Sequence, residues 1–108
     1  MHIEPSPRFR KEFKALAKKY PSLFQDFKEL ENDLQQNPQQ GESLGLGCYK
    51  IRLAIASKGG GKADGARVVT CVRIVKDQID LLSIYDKAEQ ATIKKYELKK
   101  LVKLYIHD

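Results

Sequence analysis

An α+β fold is predicted for this chain: a small antiparallel sheet of three to four strands, two N-terminal helices packed on one face, and a C-terminal helix. Three features predict it. Apolar residues recur at helical spacing in two segments before residue 38, alternate with polar residues between 48 and 85, and return to helical spacing after 94. At 108 residues there is room for one core, so 1–108 is read as a single domain.

A short first strand near His2 to Glu4 fits an edge position, which tolerates the nearby prolines. Ser6 followed by Pro7 signals a helix start, because the hydroxyl accepts from an orphan amide and proline suits the first turn. Phe9, Phe13, Leu16, Ala17 and Tyr20 then form an apolar stripe among Arg8, Arg10, Lys11, Lys14, Lys18 and Lys19. Pro21 and Ser22 open a second helix, where Leu23, Phe27, Leu30 and Leu34 share a face widened by Phe24. Asn37, Pro38 and Gly41 end it. Two amphipathic helices with so short a link are expected as a hairpin laid on a sheet.

From Cys48 to Ile55 the alternation puts Tyr49, Ile51, Leu53 and Ile55 on one face and Lys50 and Arg52 on the other. Ser57 to Gly65 carries four glycines with Lys58 and Lys62, a flexible hairpin loop by composition. Ala66 to Val75 is β-branched and returns as a strand, with Val68, Val72 and Ile74 on one side and Arg67 and Arg73 on the other. Lys76 and Asp77 turn into a third strand, Ile79 to Tyr85. The final helix sets Leu98, Leu101, Val102 and Tyr105 against Lys94, Lys95, Lys99, Lys100 and Lys103, and is expected near the sheet edge.

A net charge of +6 favours polyanionic partners. The positive charge is concentrated in residues 8–20, 41–76 and 94–108, separated by acidic stretches. No apolar run reaches the length of a membrane span and residues 1–10 hold no signal-like stretch, so a cytoplasmic location without membrane partners is expected. Cys48 and Cys71 have no second pair at metal-ligand spacing and no histidine cluster near them. They are read as buried thiols, and neither a metal nor another cofactor is expected. The glycine loop lacks the P-loop spacing and opens no helix, which excludes that nucleotide site. Its lysines either contact phosphate or keep the loop soluble. Lys50, Arg52 and Arg67 around this loop solvate a sheet face or form a phosphate-binding surface.

Tyr49-Lys50-Ile51-Arg52, the loop Ser57-Lys58-Gly59-Gly60-Gly61-Lys62, the strand opening Gly65-Ala66-Arg67-Val68-Val69, and Leu81-Leu82-Ser83-Ile84-Tyr85-Asp86-Lys87 together resemble the RelE/HigB family of bacterial toxins, closest to its HigB-like branch. The resemblance runs from about Phe9 to Leu101 and is strongest from Tyr49 to Lys87. It implies the RelE-like form of the α+β fold and the toxin half of a type II toxin–antitoxin pair. The activity implied is metal-independent, ribosome-dependent cleavage of mRNA, by attack of a ribose 2′-hydroxyl on the adjacent phosphate. Implied partners are a cognate antitoxin, mRNA, and ribosomal RNA at the A site.

Carried over residue by residue, the resemblance makes Arg67 a contact to the scissile phosphate, and Lys50 and Arg52 the basic pair on the preceding strand. Lys87 stands where relatives carry arginine or lysine. Lys58, Lys62, Arg73 and Tyr85 are expected RNA contacts, Tyr85 through stacking or a hydrogen bond. Ile93 departs from the pattern, since one branch has a stacking tyrosine there. His2 and His107 lie outside the motifs, so the general base is unassigned. Two alternatives stay open: a ParE-like, protein-directed inhibitor of DNA gyrase, and an RNA-binding module whose cleavage has decayed.

Overall fold

The computed structural model describes residues 1–107. In chain order the elements are β1 (His2–Pro5), α1 (Pro7–Lys19), α2 (Leu23–Gln36), β2 (Glu42–Gly45), β3 (Cys48–Leu53), a 3-10 turn (Lys62–Asp64), β4 (Ala66–Arg73), β5 (Gln78–Asp86) and α3 (Lys95–Tyr105). One five-stranded sheet runs in the order β1-β5-β4-β3-β2. Every neighbouring pair is antiparallel except β1 and β5, which run parallel.

The α+β class is as expected, but the sheet is larger and not wholly antiparallel. The strand without a sequence signal is β2: Glu-Ser-Leu-Gly has neither alternation nor β-branching. It forms because a tight turn folds it back on β3, with Gly45, Leu46 and Gly47 all at positive φ.

The start of α1 follows its capping signal, as Ser6 Oγ accepts from the Phe9 amide at 3.1 Å. Beyond the short β1, the open edge of β5 is finished by the Ser6 backbone and the Glu12 side chain. Ser6 donates its amide to the Leu81 carbonyl at 2.9 Å, and Glu12 Oε1 accepts from Ser83 Oγ at 2.8 Å and the Ile84 amide at 3.4 Å.

Two cores flank the sheet. Phe9, Leu16, Leu23, Phe27, Leu30 and Leu34 of α1 and α2 bury one face, against Ile51, Leu53, Val68, Val72, Ile79, Leu81 and Ile84. The other face carries Cys48, Val69, Cys71, Leu82 and Tyr85 beneath Ile93, Leu98 and Leu101. The last helix therefore covers part of the second face and does not merely border the sheet edge. Val69, Leu82 and Tyr85 are apolar on that side and need a cover. Ile74 does not share a strand face with Val68 and Val72 either. The strand β4 ends at Arg73, and Ile74 sits 64% exposed in the following turn.

A bulge lies in β5. Val69 pairs with Ser83 but Thr70 pairs with Leu81, so Leu82 is an extra residue. It reverses the alternation: Ile79 and Leu81 face the first core, Leu82 and Tyr85 the second, and Ile84 the first again.

Candidate nucleic-acid interface

Arg52 on β3, Arg67 on β4 and Tyr85 on β5 form one row across the sheet, and Lys50 lies two residues from Arg52 on the same side. The Val72 amide donates to the Gly47 carbonyl at 2.9 Å, so Gly47 and Val72 are a hydrogen-bonded pair. The register then makes Cys48/Cys71, Lys50/Val69 and Arg52/Arg67 the non-hydrogen-bonded pairs, whose Cα atoms stand about 4.5 Å apart and whose side chains are closest. Two arginines directly opposite one another destabilise a sheet. An anion held between them removes that penalty.

Lys50, Arg52 and Arg67 line a cleft of about 560 Å³, where they meet Lys62 from the 3-10 turn and Lys87, the residue after β5. All four residues expected to be catalytic thus come together, with one of the expected RNA contacts. Lys87 is placed by its amide, which donates to the Gly65 carbonyl at 3.1 Å. Gly65 has no room for a side chain, since a Cβ there would meet the Leu53 carbonyl oxygen at 2.0 Å.

Arg67 is 4% exposed and half committed to the fold. Its Nη1 donates to the carbonyls of Lys62 at 3.0 Å and Ala66 at 3.1 Å, and its Nη2 donates to Ala63 at 3.1 Å. The guanidinium therefore holds the glycine loop closed. Its Nε–H and one Nη2–H have no partner among the described residues, and these form a two-donor fork suited to phosphate oxygens. Lys50 Nζ lies 3.4 Å from Glu42 Oε2 and donates to Thr92 Oγ1 at 3.2 Å.

Glu42 is the single carboxylate among the residues lining the cleft, and reading the sequence did not find it. It stands alone after Gly41 in a segment with no periodicity. Pairing with Lys50 across β2 and β3 brings it to the site.

Three expected RNA contacts are placed elsewhere. Lys58 is no mobile phosphate contact, because its ammonium is 2.6 Å from the buried Asp86 Oδ1. Asp86 Oδ2 accepts from the Tyr20 hydroxyl at 2.7 Å, and Oδ1 also accepts from the Ala88 amide at 2.9 Å. Burial by itself would raise the Asp86 carboxyl, but the hydrogen bonds from Lys58, Tyr20 and Ala88 outweigh it and bring the pKa down to about 2. Arg73 lies six residues along β4 from Arg67, roughly 20 Å away. Its Nε is 2.7 Å from Asp80 Oδ2 and its Nη1 donates to the His107 carbonyl at 2.8 Å. Tyr85 is 6% exposed, so its ring packs in the second core and offers no stacking face. Burial raises its phenol pKa. Its hydroxyl makes no hydrogen bond of good geometry among the described residues, with Thr92 and the Ile93 backbone nearby. Ile93 is buried in the same core, so that position serves packing.

No protein-family model and no curated protein matches the chain. Solved structures do. A double arginine-to-alanine mutant of the E. coli toxin RelE in the free state aligns with a TM-score of 0.65 at 20% identity, over 97% of each chain. The isolated E. coli RelE toxin aligns at 0.62 and 18% identity, covering 95% of this chain and 97% of that one. In the intact E. coli RelBE toxin–antitoxin complex the match is 0.60 at 20% identity, over 79% of this chain and 94% of that one. At such identities the likeness is one of architecture, and the chain has the RelE fold.

Proposed function

We propose that this chain is the toxin of a type II toxin–antitoxin system, a HigB-like mRNA endoribonuclease that acts at the ribosome without a metal. The observation that carries this reading is the convergence of Lys50, Arg52, Lys62, Arg67 and Lys87 in one cleft of the sheet. A phosphate seated there meets the open fork of Arg67, and the charge that builds on its oxygens during displacement is met by Arg52 and Lys87. Glu42 is the acceptor available for the 2′-hydroxyl proton, and Lys50 beside it stabilises the emerging oxyanion. The cognate partner is an antitoxin, as in the RelBE complex whose toxin shares this fold. Messenger RNA and ribosomal RNA at the A site are the polyanions for the cleft and its basic surroundings.

A second reading, RNA binding without cleavage, is favoured by the burial of both Tyr85 and Ile93, which leaves no aromatic side chain among the residues lining the cleft. One experiment separates the readings. The chain is induced alone in cells and mRNA 5′ ends are mapped. Growth arrest with cuts confined to translated frames is expected, and Lys87→Ala should abolish both. Arrest with intact mRNA and blocked replication would replace the reading with gyrase inhibition. RNA binding with intact mRNA would replace it with the binding module.

A further inference from the structure

Cys48 and Cys71 face one another across β3 and β4 in a non-hydrogen-bonded pair, with both sulfurs directed at the Leu46 carbonyl, 3.6 and 3.9 Å away. A Cα separation near 4.5 Å for such a pair falls inside the window of about 4.4–6.8 Å that a disulfide spans. Hydrogen bonding to the Cys71 thiol, with burial, pushes the Cys48 thiol pKa up. Both residues are buried, yet Cys71 is among the residues lining a groove of about 460 Å³, with Leu46, Val72 and Ile106.

We infer that Cys48 and Cys71 are a redox modification site, a dithiol that a peroxide converts into a cross-strand disulfide clamping β3 to β4. The peroxide enters by the groove and oxidises the Cys71 thiol to a sulfenic acid, releasing water. The Cys48 thiol then attacks that sulfur. The sulfur–oxygen bond breaks, the sulfur–sulfur bond forms, and a second water leaves with the Cys48 proton. Overall two thiols and one hydrogen peroxide give one disulfide and two waters. The bond closes the chain from 48 to 71, the segment that carries Lys50, Arg52, Lys62 and Arg67, and restricts its unfolded ensemble.

The test uses the full chain, reduced, freed of reductant and treated with hydrogen peroxide. Intact mass should fall by two hydrogens, a proteolytic map should join the Cys48 and Cys71 peptides, and the melting temperature should rise by roughly 10 °C. Dithiothreitol should reverse all three, and Cys48→Ser and Cys71→Ser should each show no rise. The inference is overturned if both cysteines of the treated wild type still alkylate on unfolding, or if the product is a disulfide between chains. A Cys48–Cys71 bond with an unchanged melting temperature would overturn the clamp.

Discussion

Replacing Arg52 by alanine should weaken RNA binding and, at the same time, leave the protein slightly more stable. Five cations line the cleft, and one of them, Lys50, is partly neutralised by Glu42. Four effective phosphate contacts on a single strand give a slope of log affinity against log salt of about −3, or roughly fifty-fold weaker binding between 50 and 200 mM salt. Arg52→Ala and Lys87→Ala should each make that slope shallower by about 0.7. Neither side chain supports the loop as Arg67 does, so binding is read here without unfolding. Arg52→Ala also relieves the cross-strand pairing of Arg52 with Arg67, a gain of up to about 0.5 kcal/mol. The assay is fluorescence anisotropy of a short labelled single-stranded RNA across a salt series, with urea unfolding beside it. Lys18→Ala, on the exposed side of α1, is the control and should keep the wild-type slope. A wild-type slope shallower than about −1, or one unchanged in both cleft variants, would refute the reasoning.

Gly41→Ala should cost about 2 kcal/mol in urea unfolding, because φ is +97° there and the added Cβ would stand 2.5 Å from the Lys50 carbonyl oxygen. The same clash should displace Lys50 and weaken RNA binding. Asp86→Asn tests the buried pair with Lys58. A folded carboxyl pKa near 2 against 3.8 unfolded corresponds to about 2 kcal/mol of stability. Because the pKa is lowered on folding, that stability is fully present above the unfolded value and disappears as pH falls through 2. The stability gap between wild type and Asp86→Asn should therefore be widest near neutrality and close in acid, and a gap independent of pH would contradict the assignment.

Much of the fold was legible in the sequence because its signals are local. The Ser6-Pro7 cap, the apolar stripes of α1 and α2, and the alternation around Lys50 and Arg52 are each set by neighbours a few residues away. The meeting of Arg67 and Lys87 with that pair followed from motif resemblance. What stayed hidden depends on long-range pairing. A Glu-Ser-Leu-Gly segment becomes β2 only when β3 is beside it, and only then does Glu42 enter the cleft. Composition counted Lys58 and Arg73 as loop and strand cations, but their partners Asp86 and Asp80 lie at sequence distances of 28 and 7. The resemblance treated Ile93 as a lost function, whereas its burial beside Tyr85 identifies it as a core residue.

The extra residue in β5 gives one strand two phases. With Leu82 kept, a ruler-straight alternation from Ile79 would send Tyr85 toward α1 and α2 and Ile84 toward Arg67. The bulge at Leu82 keeps Ile84 among the phenylalanines and sets Tyr85 beside the arginine row. A chain without Leu82 would need no bulge: Ser83 would follow Leu81 directly, and plain alternation would still turn Ile84 to the first core and Tyr85 to the second. What the extra residue adds is Leu82 itself, one more apolar side chain on the face that α3 covers. The irregularity thus lets the strand supply cover for the second core without giving up the placement of Tyr85 beside Arg67.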